Sequence, residues 1–212
     1  GVVLERMPAT IQLALTAIAL GVLIGGTAGA IAAMRRGSVA EFVVMTLALL
    51  GQATPVFWLG IMLILLFAVD LGWLPTGGYG SPANLVLPAL TLAVFVSASI
   101  ARLFRSSMLD VLSADYVRTA RAKGVSEPMV IIRHAIRNAL LPVLTVSGVI
   151  LADVITGSFF VESVYSVPGL GRYFVSSISQ RDYPVILGTV LLFGLVISVM
   201  NLIVDLLYPL LD

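Results

Sequence analysis

The chain has 212 residues, of which 59% are hydrophobic and only 11% charged, with a formal net charge of +1 and no cysteine. Soluble domains carry roughly a quarter of charged residues, so a water-soluble globule is excluded. The small net charge gives no general field for nucleic acid, and the missing cysteines remove disulfides and thiolate metal sites.

Gly1 is not a natural start, and no charged segment with a cleavage site precedes the first apolar run. The chain is therefore expected to be the latter part of a longer protein. Residues 9–34 and 42–69 hold no charged side chain. A helix crosses roughly 30 Å of hydrocarbon with about 20 apolar residues, so both qualify as spans. In the first, Gly21, Gly25 and Gly29 recur every fourth residue and make a smooth face for tight helix packing, with a moving or pore-lining face as the alternative. Pro55 falls inside the second and is expected to kink it, whereas Pro8, Pro88 and Pro184 are placed at helix entrances. The loop over residues 70–82 is rich in Gly and Pro and offers Trp73 and Tyr79 as interface anchors.

A third span is expected over residues 86–108, with Arg102 and Arg105 in its last turns, a fourth over 138–161 and a fifth over 184–207. Polar residues at membrane depth are small and scattered: Thr16, Thr27, Gln52, Thr54, Ser97, Ser99, Thr145, Ser147 and Thr156. They either line a wet, low-affinity pathway or hydrogen-bond between helices. Asp153 is the one formal charge well inside a span, which demands a partner, a water-filled cavity or a proton. Asp153, Gln52, Ser97 and Thr156 are the candidates for a pathway, with a structural polar contact as the other reading of Asp153. Asn201 and Asp205, one turn apart near the end of the last span, are expected to pair with basic loop residues.

Orientation follows from Lys and Arg. Five spans put Arg35, Arg36, Arg102, Arg105, Arg118, Arg121, Lys123, Arg133 and Arg137 on one side, leaving Arg6, Arg172 and Arg181 on the other. The positive-inside rule makes the first side cytoplasmic. Gly1 is then outside and Asp212 inside.

The most informative stretch is the basic region 110–137 on that cytoplasmic side. Residues 110–123 have helical spacing, with Val111, Leu112, Tyr116, Val117 and Ala120 as an apolar stripe flanked by Arg118, Arg121 and Lys123. Gly124 is expected to stop this helix, Ser126 to cap the next with Glu127 in its first turn, and Met129, Ile132 and Ile136 to continue the apolar face. The product is a short helix–Gly–helix elbow along the membrane surface, or an amphipathic surface element with no partner.

This stretch, ADYVRTARAKGVSEPMVIIRHAIRNALLP, resembles the cytoplasmic signature of the permease subunits of binding-protein-dependent ABC importers. In the general signature a Glu-Ala-Ala is followed after three residues by Gly and later by Ile-x-Leu-Pro. Here Arg118-Thr119-Ala120 stand at the Glu-Ala-Ala positions, Gly124 matches the Gly, and His134, Ile136 and Arg137 stand for the Ile, Leu and Pro. The general motif is thus degenerate. DYVRTARAKG, HAIRNALLPV, ESVYSVPGLGR, LPTGGYG and NLIVDLLYPLLD are similar, in the expected order, to the dipeptide/oligopeptide/nickel branch and to its first permease subunit.

The resemblance implies an all-α polytopic bundle, five spans here and six in the complete protein, in a bacterial or archaeal cytoplasmic membrane. It implies that the elbow is a coupling helix, with Tyr116, Arg118, Thr119, Ala120, Arg121, Lys123 and Gly124 seated on a cytoplasmic ATPase subunit. It also implies a surface segment near Glu162, Pro168, Gly169 and Gly171 where an extracytoplasmic binding protein docks; the residues themselves support a structured turn. The implied partners are a second permease, two ATPase subunits that hold ATP and Mg, the binding protein and lipid, with no nucleic acid. The implied cargo is a di- or oligopeptide, with a nickel chelate or glutathione as alternatives.

Other classes fit less well. The only histidine, His134, lies in the cytoplasmic elbow, so a serine–histidine intramembrane protease lacks its base. Asp153 alone is deep, one carboxylate short of an aspartyl mechanism, and no catalytic residue or metal-ligand spacing is found. A channel filter is not evident. No G-x-x-x-x-G-K-[ST] is present, so ATP hydrolysis is expected in a separate subunit.

Overall fold

The structure, a computed structural model, describes the backbone of residues 2–211 and their side chains except at positions 2–4, 156, 157, 200, 204, 205 and 207–211. The side chains of Thr156 and Asp205 therefore lie outside the described residues, as do Gly1 and Asp212.

Among the described residues every regular element is helical: α1 (Val2–Met34), α2 (Val39–Ala53), α3 (Val56–Leu63, continued by a π-helix over Ile64–Asp70), α4 (Pro82–Ser113), α5 (Asp115–Ala122), α6 (Glu127–Met129, continued by a π-helix over Val130–Ile136), α7 (Arg137–Val164), α8 (Leu170–Gln180) and α9 (Tyr183–Leu211). Four stretches are long and apolar enough to cross a membrane, Glu5–Met34, Pro82–Ser113, Glu127–Ile155 and Tyr183–Ile203, and the bent pair α2–α3 makes a fifth if it counts as one span.

That pair turns through 104°. Pro55 by itself predicts a kink, and the structure has a break. The residue before a proline is pushed out of the helical region, and Thr54 is extended at φ −77°, ψ 127°. Pro55 is extended too, and α3 begins after it. Pro8 and Pro88, expected at helix entrances, lie inside α1 and α4, while Pro184 is the second residue of α9. For α4 the reason is an earlier start signal. Ser81 and Asn84 form a capping box, and Asn84 Nδ2 also donates to the Gly77 carbonyl at 2.6 Å.

The core is built on α1, α4 and α7. Leu13, Ala17, Leu92, Val96, Ile100, Val143 and Val154 are buried together in it. Its closest approach is the glycine face of α1. A Cβ at Gly21 would fall 2.5 Å from Val96 Cβ, one at Gly25 2.5 Å from the Ser97 carbonyl oxygen, and one at Gly29 2.6 Å from the Ala101 carbonyl oxygen. The tight-packing reading of these glycines is what the structure shows. By contrast α9 is apolar but largely unburied within this chain, with Leu187, Leu191, Leu195 and Leu202 exposed.

The polar residues at membrane depth mostly bond their own helix. Thr16 donates to the Gln12 carbonyl at 2.8 Å, Thr54 to Leu50 at 2.7 Å, Ser97 to Val94 at 2.9 Å, Thr145 to Leu141 at 3.1 Å and Ser147 to Val143 at 2.6 Å. Back-bonding of this kind satisfies a hydroxyl without a neighbouring helix.

Tyr165, at the C-terminal end of α7, is the counterpart of the glycine seam. Its hydroxyl donates to the Gly60 carbonyl at 3.0 Å and lies 2.9 Å from Thr91 Oγ1, and its carbonyl accepts from Gly78 N–H at 2.8 Å. One fully buried residue thus ties the end of α7 to α3 and α4 through its hydroxyl and to the 70–82 loop through its carbonyl. Removing its hydroxyl takes away the bonds to the Gly60 carbonyl and to Thr91, while the Gly60 carbonyl keeps the Ile64 N–H. Tyr165→Phe is expected to lower unfolding stability by about 1–2 kcal/mol, read as a lower melting temperature of the purified complex.

Candidate functional site: the α5–α6 elbow and the α8 anchor

At its C-terminal end, α4 runs into α5 with one extended residue, Ala114, between them. The coupling candidate is therefore not on a free loop: it sits at the tip of a helix locked to α1 by the glycine seam. Arg105 near that end donates Nε–H to Glu41 Oε1 at 2.7 Å, and Glu41 also accepts from Gly37 N–H, tying the start of α2 to α4.

The end of α5 is a Schellman turn. Gly124 N–H donates to the Arg121 carbonyl at 2.9 Å, Val125 N–H to the Ala120 carbonyl at 3.2 Å, and Gly124 has φ +80°. Val117, Ala120 and Val130 are buried together against Val111 and Val125, which gives the elbow a small core of its own. Ser126 stands at the N-cap of α6 with extended dihedrals, but its side chain makes no capping bond. The brace is instead a two-point ion pair. Arg121 Nε and Nη2 donate to Glu127 Oε2 at 3.0 Å and Oε1 at 2.7 Å, the planar fork matching both carboxylate oxygens at once.

The outward face of the elbow is mixed. Tyr116 is 46% exposed, Met129 47% and Ile132 66%, beside exposed Arg118, Thr119, Lys123 and Gly124. Ordinary helical spacing puts Met129 and Ile132 on the apolar face that packs on the membrane side. The structure buries Val130 and Ala135 instead, five residues apart, because the segment is wound as a π-helix. Tyr116 is steadied from α7 by Asn138 Nδ2, which donates to its hydroxyl at 3.1 Å. Arg118 reaches Asp115 at 3.4 Å on an exposed surface, too loose and too wet to hold it.

Among the described residues, the pathway candidates Gln52, Ser97 and Asp153 lie at separate places. Ser97 lines a recess of about 310 Å³ among α1, α2 and α4, which Asp153 does not line. Gln52 is half-buried just before the α2–α3 break, and Asp153 is on the exposed face of α7. No group of three metal-ligating side chains occurs among the described residues.

At the opposite end of the bundle, the residues expected to dock a binding protein are mostly buried rather than at the surface. Glu162 is 0% exposed, Gly169 and Gly171 are buried, and Pro168 is half-buried. Glu162 Oε1 accepts from Thr10 Oγ1–H at 2.7 Å and Ser158 Oγ–H at 3.1 Å, while the N–H groups of Arg172 (3.0 Å) and Gly171 point at the same carboxylate. Thr10 Oγ1 in turn accepts from Leu170 N–H at 2.8 Å. Carboxylate and hydroxyl together satisfy the first turn of α8 and bind it to α1 and α7. A Cβ at Gly169 would lie 2.4 Å from Glu162 Cδ, and one at Gly171 2.4 Å from Phe159 Cα, so small residues are needed there. These residues hold α8; its exposed face, with Val175 and Ile178, is what a partner would meet. Nothing in the sequence signals this anchor, because Thr10 and Glu162 are remote in the chain.

A membrane bundle whose central helices end in a braced elbow, with an anchored short helix at the opposite end, has the architecture of the transmembrane subunit of a transporter. Solved structures share it: an inward-facing MetNI methionine ABC transporter matches with a TM-score of 0.81 at 16% identity, over 100% of this chain and 96% of that one. An amino acid ABC transporter matches with a TM-score of 0.75 at 19% identity, over 98% and 93%. Among curated proteins, the dipeptide transport system permease protein of Bacillus subtilis is 49% identical over 210 residues, 99% of this chain and 68% of that protein. The glutathione transport system permease protein of Escherichia coli is 47% identical over 204 residues, 96% and 67%.

Residues 25–212 match the family described as binding-protein-dependent transport system inner membrane component, and the chain belongs to that family. It is a permease subunit of an ABC importer, a transport subunit and not an enzyme; in such systems ATP hydrolysis resides in separate subunits.

Proposed function

We propose that this chain forms half of an alternating-access pathway for short peptides, paired with a homologous second permease. Two cytoplasmic ATPase subunits holding ATP and Mg bind below, and an extracytoplasmic binding protein delivers cargo from above. The orientation is Gly1 outside and Asp212 in the cytoplasm of a bacterium or archaeon, by the distribution of Lys and Arg.

The observation that carries the reading is the continuity of α4 with the elbow. Tyr116, Arg118, Thr119, Lys123 and Gly124 form the seat on the ATPase, Ala120 fills the elbow's core, and Arg121 braces it through Glu127. Movement of an ATPase against this seat is delivered to α4, and through the glycine seam to α1, as a rigid-body rotation. Gln52, Ser97, Thr156 and Asp153 are proposed to meet the pathway when it opens.

The relatives favour a peptide cargo, and a second reading stands on the relative named for glutathione, itself a small peptide. The test is ATPase activity of the full complex in proteoliposomes with its binding protein loaded with a mixed peptide pool, glutathione or nickel chelate. Stimulation by the peptide pool is expected. Stimulation by glutathione alone narrows the cargo to the second reading, and stimulation by nickel chelate alone overturns both.

A further inference from the structure

The anchor beneath α8 has a consequence at the surface above it. Thr10 and Glu162 fix the first turn of α8 against α1, so side chains on the outer sides of these two elements are held at set positions. One turn before Thr10 on α1 is Arg6, and on α8 the residue whose N–H the Glu162 carboxylate accepts is Arg172. Both side chains line one outer recess of about 320 Å³ together with Pro168, Gly169, Tyr173 and Ser176.

Neither guanidinium has a hydrogen-bond or ion-pair partner among the described residues, where the ion pairs are Arg105–Glu41, Arg118–Asp115 and Arg121–Glu127. Glu5 lines the adjoining recess with Arg6, but no bond joins them. The buried Glu162 carboxylate is already filled by four protein donors and lies under the helix start. The backbone donors of α8 are thus used internally, and the two guanidiniums are what the recess presents outward.

We propose that the recess between Arg6 and Arg172 receives a carboxylate side chain of the extracytoplasmic binding protein, and so fixes the register in which that protein docks on α8. This rests on the docking reading given above. Two planar guanidiniums on separate, rigidly joined helices match the two oxygens of a carboxylate, and the Tyr173 hydroxyl in the same recess is a further donor, whereas Ser176 Oγ–H already donates to the Tyr173 carbonyl at 2.8 Å. The recess adjoins the exposed face of α8, so one partner can cover both. A fixed pair of charges at the rim of a docking surface acts on encounter and register more than on the buried contact.

The experiment uses the full complex with its own loaded binding protein, in nanodiscs of phosphatidylcholine alone and in nanodiscs with phosphatidylglycerol added. Stimulated ATPase activity is followed against binding-protein concentration. Arg6→Gln and Arg172→Gln are each expected to raise the half-stimulating concentration several-fold, and the double charge reversal Arg6→Glu with Arg172→Glu at least about tenfold, in both lipids. Arg181→Gln, at the far end of α8, is the matched control and is expected to shift it less than about twofold.

No shift in either glutamine variant, or an equal shift with Arg181→Gln, overturns the proposal. A shift confined to phosphatidylglycerol nanodiscs overturns it in favour of a lipid headgroup. Failure of the docking reading is separate: stimulation of the unaltered complex would then be absent, or indifferent to Val175→Glu and Ile178→Glu on the exposed face of α8, and the recess falls with it. Dependence on that face without dependence on the arginines removes the recess alone.

Discussion

Gly124→Asp is expected to reduce uptake to below about a tenth while the permease is still made and inserted. Gly124 has φ +80°, a conformation that costs an L-residue roughly 1–2 kcal/mol, and the Schellman bonds of Gly124 and Val125 depend on it. A Cβ there meets no atom within 4 Å, so the new side chain projects outward and disturbs no packing inside the chain. It also places a negative charge beside Arg121 and Lys123, on the face proposed to seat the ATPase. Gly124→Ala separates the two effects, since it keeps the strain and omits the charge. Its expected loss is severalfold at most. The measurements are uptake into proteoliposomes and co-purification of the ATPase subunits. Normal uptake by the aspartate variant would remove the elbow from the coupling role.

Gly25→Leu is expected to prevent assembly of a stable complex. A Cβ at Gly25 already falls 2.5 Å from the Ser97 carbonyl oxygen and 2.9 Å from Ile100 Cβ, so even alanine forces α1 and α4 apart. Backbone on the far side cannot move aside as a side-chain tip does. Overpacking of this kind costs about 1–3 kcal/mol for the smallest change, and the seam lost on separation adds to it. The adjacent Gly26 is the internal control, with nothing within 4 Å of its Cβ position. Gly26→Leu should leave the melting temperature of the purified complex nearly unchanged, whereas Gly25→Ala should lower it measurably. Equal tolerance at the two positions would show that α1 and α4 do not move as one body.

The two predictions bear on one mechanism. A docking seat at the tip of α4 is useful only if α4 is stiff and attached to what must move. The glycine seam supplies the attachment to α1, and the Glu41 carboxylate, held by Arg105 and Gly37 N–H, adds α2 at the elbow end. At the opposite end Tyr165 and Glu162 do the corresponding work, one for α3 and α4, the other for α1 and α8. All four junctions are hydrogen-bonded or close-packed, and those at the glycine seam, Tyr165 and Glu162 are also buried, where such contacts resist deformation most.

The amino-acid sequence by itself determines a good part of this. Apolar run lengths are dictated by the thickness of hydrocarbon, so helices at 9–34, 86–108, 138–161 and 184–207 are read directly, although the structure extends them to Val2–Met34, Pro82–Ser113, Arg137–Val164 and Tyr183–Leu211. Gly21, Gly25 and Gly29 signal a close approach because only missing side chains permit one, and Gly124 signals a turn because few other residues adopt its φ. Such features depend on residues near one another in the chain, or on the solvent that surrounds it.

Tertiary structure decides the rest. Whether Pro55 kinks or breaks a span depends on what receives the freed ends, and here the chain turns through 104°. A helical period of 3.6 over residues 129–136 would place Met129 and Ile132 inside, but the segment is wound wider, so Val130 and Ala135 go inside and Met129 and Ile132 face out. Glu162 reads as a loop-edge carboxylate in the sequence and is fully buried in the fold, because Thr10 and the start of α8 supply the donors its charge requires. Arg6 and Arg172 stand near opposite ends of the chain, and only the packing of α8 on α1 brings them to one recess. Local sequence carries the energetics of single elements, whereas the satisfaction of a buried charge and the meeting of distant side chains are properties of the packed whole.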